Sequence, residues 1–124
     1  MPVAFTEREL DIMAVLWEHG PSTAAEVRER LDDELAYNTV LSMLRILEEK
    51  GHVGHTEEGR AHRYFPKVDR EAAGSSALGR LVDKVFGGSA ELLMTNLVRD
   101  RSLEADELRR IRRLLDERLR EQGR

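Results

Sequence analysis

Ala36-Tyr37-Asn38-Thr39-Val40-Leu41-Ser42-Met43-Leu44-Arg45-Ile46-Leu47-Glu48-Glu49-Lys50-Gly51 is the stretch on which the fold turns. Val40, Met43, Leu44 and Leu47 recur at helical spacing and predict the buried stripe of a helix from about Asn38 to Lys50, stopped by Gly51. The other side carries Asn38, Leu41, Ser42 and Arg45, three and four residues apart and therefore stacked on one face. Upstream, Thr6 with Glu9 forms a capping box, with Phe5 and Leu10 at hydrophobic-staple positions. Leu10, Met13, Ala14 and Trp17 give that first helix its apolar side, widened by Ile12 and Leu16, and His19-Gly20-Pro21 ends it. A second helix opens at Ser22 or Thr23, where Thr23 with Glu26 forms another capping box; it bears Val27 and Leu31 and is closed by Asp32-Asp33-Glu34.

Downstream, His52 to Thr56 and His62 to Pro66 read as two short strands around a turn at Glu57-Glu58-Gly59-Arg60. Three helices and a hairpin make a winged helix-turn-helix over residues 1–67. After Pro66 the pattern is helical to the end. Asp69 caps a helix to Phe86 with Leu78, Leu81, Val82 and Val85 on its apolar side, and Gly87-Gly88 breaks it. Ser89 caps a short helix with Leu92, Leu93, Met94, Leu97 and Val98; the last helix starts between Ser102 and Glu104 and carries Leu108, Ile111, Leu114, Leu115 and Leu119. Short helices this rich in leucine cannot bury their apolar faces on one another alone. Residues 68–124 are therefore expected to dimerise, with Leu78, Leu81, Phe86, Leu93, Leu97, Leu108, Ile111 and Leu115 at the contact. The fold class is mainly α.

The 124 residues allow one compact domain or two very small ones. No window reaches 18 apolar residues and no basic-then-apolar leader opens the chain, which predicts neither membrane insertion nor secretion. The absence of cysteine excludes disulfides, thiolate metal sites and a thiol nucleophile, and fits a reducing cytoplasm. Net charge is -4. Residues 1–67 hold 8 Lys and Arg against 13 Asp and Glu, which weighs against nucleic acid unless cations cluster locally. They do: Gly59 to Lys67 contains Arg60, Arg63 and Lys67 and no acid.

A recognition helix presents short polar side chains to the major groove. Asn38 suits an adenine edge, Thr39 and Ser42 reach bases or phosphates, Leu41 rests on a thymine methyl, and Arg45 takes guanine or phosphate. Arg60 at the hairpin tip, with Arg63 and His62 nearby, suits a phosphate backbone or a minor groove. Tyr64 is expected to pack the wing onto the helices. The same faces also suit contacts to protein, so a winged-helix interaction module without sequence-specific DNA binding is the alternative.

His52, His55 and His62, with Glu57, invite a metal-responsive reading. Residues three apart on a strand point to opposite faces, so His52 and His55 should not converge, and no metal or other cofactor is expected. No GxSxG, phosphate-loop or HExxH motif is present, nor a paired acid constellation, and no enzymatic activity is expected.

Leu16-Trp17-Glu18 before Gly20-Pro21, Ala36-Tyr37-Asn38-Thr39-Val40, Glu49-Lys50-Gly51 and Gly59-Arg60-Ala61-His62-Arg63-Tyr64 together resemble the penicillinase-repressor (BlaI/MecI) family. Val85-Phe86-Gly87-Gly88 and the leucine-rich helices after it resemble that family's dimerisation segment. The resemblance spans nearly the whole chain and implies a homodimeric repressor whose winged helices bind an inverted repeat of double-stranded DNA over a promoter. For part of the family it also implies induction by a membrane-embedded sensor metalloprotease that signals β-lactam and leads to a cut in the dimerisation segment. The family's cut typically falls between Asn and Phe; the matching pair here is Asn96-Leu97, which departs at the second residue. Ile46 stands where the family often has Arg, with Arg45 one place earlier. A sister branch senses copper through C-terminal cysteines, which this chain lacks.

Overall fold

Two capping boxes set the first helices in place. The Thr6 hydroxyl accepts from the Glu9 N–H while the Glu9 carboxylate accepts from the Thr6 N–H, and Thr23 and Glu26 repeat the exchange. The computed structural model describes residues 5–100 and 102–123. The elements are α1 (Glu7–His19), β1 (Ser22–Thr23), α2 (Ala24–Arg30), α3 (Tyr37–Glu49), β2 (Val53–Glu58), β3 (Ala61–Pro66), α4 (Arg70–Lys84), α5 (Ala90–Asp100) and α6 (Ala105–Gln122). By packing, the chain divides between Gly79 and Arg80, inside α4.

The first unit holds the core. Ile12, Met13, Val15 and Leu16 of α1 join Ala24 and Val27 of α2, Val40, Leu44 and Leu47 of α3, Val53 of β2 and Tyr64 of β3. The stripe of α1 is thus rotated from its expected setting, since Leu10 and Ala14 are exposed and Trp17 only half-buried. Residues 12 to 17 are an unbroken apolar run, so periodicity leaves the phase of the helix open. Its packing against α2, α3 and β3 decides it. On α3, Val40, Leu44 and Leu47 are buried as their spacing requires, and Met43 packs at the margin.

β2 and β3 pair antiparallel from Val53↔Pro66 to Glu58↔Ala61. Glu57 and Glu58, expected in the turn, therefore lie in the strand. Only Gly59 and Arg60 form the loop, and Gly59 takes φ 61°. A two-residue loop with a positive-φ glycine first matches the twist of the flanking strands, so pairing continues to its edge. Ser22 and Thr23 add a third strand, Ser22↔Tyr64 and Thr23↔Arg63, giving the order β1-β3-β2. Ser22 is buried there, its hydroxyl donating to Gly20 O (2.9 Å) and accepting from Arg30 (3.0 Å).

The start of α4 is fastened to α1. Trp17 Nε1–H donates to Val68 O at 2.8 Å, Arg70 lies 5.8 Å from the Trp17 ring, Ala73 is buried, and Asp69 accepts from the Ala72 N–H. In the second unit Gly87 and Gly88 take φ 57° and 83°, a conformation that ends a helix sharply. Ser89 Oγ accepts from the Leu92 N–H at 3.0 Å and starts α5. No described residue of α5 or α6 is buried.

Candidate nucleic-acid interface

The polar face of α3 projects from the core on the strength of Val40, Leu44 and Leu47 behind it. Asn38, Thr39, Ser42 and Arg45 are exposed and Leu41 is half-buried, packed at the edge of the core. The side chains of Asn38, Thr39 and Ser42 make no hydrogen bond among the described residues, so their donors and acceptors are open to a ligand. Tyr37 and Ile46 are also exposed, at 42% and 46%. Tyr37 is not among the expected site residues; the exposure of Ile46 follows from the stripe of Val40, Leu44 and Leu47 on the other side of α3.

Across from this face stands the hairpin. Arg60 is exposed at the tip, with no partner among the described residues. A recess of about 170 Å³ opens between α3 and the wing, lined on one side by Tyr37, Leu41 and Arg45 and on the other by Arg60 and His62. Two cations from separate elements thus flank one concavity. Tyr64 also lines it while being only 1% exposed, which fits its expected packing role. Its buried hydroxyl has no hydrogen-bond partner among the described residues. Burial raises the Tyr64 pKa, the Glu48 carboxylate adds to the rise, and the Arg45 charge opposes it.

Arg63 differs from Arg60. Its guanidinium donates to Glu58 of β2, to Glu26 of α2 at 2.8 Å and to Pro21 O at 3.1 Å. It therefore braces the hairpin against the start of α2, and its charge is matched by two carboxylates before any ligand arrives. The Glu58 hydrogen bond first, and the Glu26 and Glu58 charges against some desolvation, raise the Arg63 pKa. Glu26 responds in the opposite sense. The Thr23 N–H, followed by the Arg63 charge against desolvation, holds its carboxyl below the usual range.

The histidines separate into two groups. His52 packs on Phe5, ring centroids 4.8 Å apart. His52, expected to open the strand, lies just before β2, and its packing on Phe5 keeps it from His55; hairpin pairing brings His62 to His55, with stacked rings at 4.0 Å. A two-residue loop at Gly59-Arg60 would have revealed this from sequence, because it pairs Glu57 with His62.

Of the residues expected at a subunit contact, Leu78, Leu81, Leu108 and Leu115 are exposed, and Phe86, Leu93, Leu97 and Ile111 are half-buried. Asn96 and Leu97 lie within α5, the Asn96 amide donating to Leu92 O at 2.9 Å. No helix among the described residues is long and apolar enough to cross a membrane.

Comparison with known proteins agrees with this geometry. The family model for the penicillinase repressor matches residues 5–117. The transcriptional regulator BlaI of Mycobacterium tuberculosis is 35% identical over 107 residues, covering 82% of this chain and 78% of that protein. The penicillinase repressor of Bacillus licheniformis is 25% identical over 114 residues, covering 90% and 89%. Among solved structures, the DNA-binding domain of the repressor BlaI superposes with a TM-score of 0.52 at 30% identity, over 58% of this chain and 90% of that one. The Bacillus licheniformis BlaI monomeric form in complex with the blaP half-operator gives 0.50 at 30% identity over the same shares. A MarR family protein from Bacillus stearothermophilus, 16% identical, matches in fold with a TM-score of 0.56, over 98% of this chain and 78% of that one.

Proposed function

Because the chain belongs to the penicillinase-repressor family, matched over residues 5–117, we propose that it is a transcriptional repressor that binds double-stranded operator DNA as a homodimer. The observation that carries this reading is the recess with Arg45 of α3 on one side and Arg60 of the wing on the other, beside the open polar side chains of Asn38, Thr39 and Ser42. With α3 in a major groove, Asn38 and Arg45 read base edges, Thr39 and Ser42 take bases or phosphates, and Leu41 meets a thymine methyl. Arg60 takes backbone phosphate or enters the neighbouring minor groove. Arg63 reaches phosphate from within its ion pairs and otherwise holds the hairpin at the angle this needs. A relative's binding to a half-operator supports this docking.

The functional division lies at residues 67/68, a winged helix followed by a helical dimerisation segment. Leu78, Leu81, Phe86, Leu93, Leu97, Leu108, Ile111 and Leu115 form the subunit contact. What supports it is apolar surface without cover: in α6, Leu115 is 53% and Leu119 68% exposed. Two half-sites read by one dimer explain an inverted repeat.

Induction runs through cleavage of the Asn96-Leu97 bond, set off by a membrane sensor metalloprotease. The Gly87-Gly88 break leaves α5 a helix of 11 residues, short enough to open for a protease at modest cost. Cutting there detaches α6 from the dimer contact and empties the operator through loss of effective concentration. The reading places the protein in the cytoplasm, without catalytic activity of its own.

The test is fluorescence anisotropy of the full chain on a palindromic promoter duplex and a scrambled one across a salt series. The expected result is preference for the palindrome and a steep fall in affinity with salt. Equal, salt-indifferent affinity would overturn the reading and favour protein contacts on the same faces.

A further inference from the structure

His55, Glu57 and His62 share one face of the β2–β3 hairpin. Glu57 and His62 are direct cross-strand partners, and His55 precedes Glu57 by two residues, so strand alternation puts all three on the same side. One ligand atom from each lies within 4.8 Å of the other two. The His55 ring stacks on that of His62 at 4.0 Å with 5° between planes. Behind them, His55 Nδ1 donates to the Glu48 carboxylate of α3 at 2.5 Å. An ionised carboxylate is acceptor-only, so this bond puts a proton on Nδ1; in the neutral imidazole Nε2 is then the nitrogen that carries the lone pair. A carboxylate behind one ring nitrogen, with the other open, is the arrangement that orients imidazole ligands of metal ions.

We propose that His55, Glu57 and His62 form a binding site for a divalent transition ion of the Zn²⁺ class, with Glu48 as the positioning residue for His55. Two imidazoles and one carboxylate suit Zn²⁺ and its neighbours, whereas Mg²⁺ and Ca²⁺ prefer an all-oxygen shell. Three protein ligands leave the fourth tetrahedral position to water. With metal–ligand bonds of about 2.0–2.1 Å, tetrahedral ligand atoms sit roughly 3.4 Å apart, closer than the present outer limit. Because the lone pairs of stacked rings lie in parallel planes, His62 must turn out of the stack as Glu57 rotates inward; both side chains are exposed, while His55 stays anchored by Glu48. The ligand set lies within one chain, and of its members His62 also lines the recess beside Arg60.

Isothermal titration of the full chain with Zn²⁺ tests it, with Co²⁺ absorption reporting the ligand geometry. One ion per chain is expected, with tetrahedral Co²⁺ bands and no heat from Mg²⁺. His62→Ala and Glu57→Gln should each weaken binding by tenfold or more, and Glu48→Gln by about 10–100-fold. His52→Ala should leave affinity unchanged, because His52 packs on Phe5. The His62, Glu57 and Glu48 variants carry their changes at partly or fully exposed positions, and unchanged thermal melting confirms their folding. Absence of Zn²⁺ binding up to millimolar concentration, or affinity unaltered by His62→Ala, would overturn the proposal.

Discussion

Lys50 Nζ donates to Glu9 Oε2 at 2.8 Å, tying the end of α3 to the first turn of α1. Glu9 is only 4% exposed, and its other oxygen already accepts from the Thr6 N–H. Burial alone would raise its pKa. The Lys50 hydrogen bond and charge, with the Thr6 N–H, outweigh burial and hold the carboxyl below its usual value. In the unfolded chain the group titrates normally and takes up protons first as pH falls. The stabilisation is therefore complete above the ordinary glutamate range and is lost as pH drops toward and through the folded-state value. Glu9→Gln should cost about 1–2 kcal/mol at pH 7 and flatten the acid limb of the stability curve. Urea unfolding across a pH series measures both, and a variant with an unchanged acid limb would contradict the assignment.

Base reading predicts a loss of discrimination rather than of general affinity. Asn38→Ala and Arg45→Ala should each lose roughly 1–3 kcal/mol of preference for the cognate duplex over a scrambled one. Uniform weakening on both duplexes would mean that these residues hold phosphate only. Leu41→Ala should also register in stability, because Leu41 packs against the core.

The two wing arginines should behave differently. Arg60→Ala is expected to weaken binding to all sequences and to lower the salt slope by about one, with melting unchanged. Arg63→Ala removes the brace to Glu26 and Glu58, so it should also lower the melting temperature. If Arg60→Ala leaves the salt slope intact, the hairpin tip is not at the backbone.

Dimerisation through the C-terminal helices predicts that Leu115→Asp or Leu108→Asp yields a folded monomer by sedimentation equilibrium. Separating joined half-sites should cost on the order of 10²–10⁴ in operator affinity. A monomeric variant that holds the full operator as tightly as the parent chain would sink the arrangement.

Proteolytic induction predicts two fragments parted between Asn96 and Leu97, seen by mass spectrometry of the repressor from induced cells. Asn96→Asp should leave the chain intact and the promoter repressed. Intact wild-type chains beside a derepressed promoter would point instead to a ligand or a partner.

Spacing along the chain fixes what depends on near neighbours. Thr6 with Glu9 and Thr23 with Glu26 are caps made within four residues, and both form as read. Val40, Leu44 and Leu47 had one possible face, so the exposed row from Asn38 to Arg45 follows from spacing alone. Tertiary structure decided what depends on distant partners. The unbroken apolar run of α1 took its phase from α2, α3 and β3, which left Leu10 and Ala14 outside. Ser22 and Thr23 became a strand because β3 offered them an open edge. Arg63 was bound by Glu26, 37 residues away, while Arg60 has no partner among the described residues, although the two look alike along the chain. His55 met His62 only through the register that a two-residue loop imposes on the hairpin. Local hydrogen-bonding and periodicity can be read from spacing, but register and charge pairing between distant segments are fixed only when those segments pack.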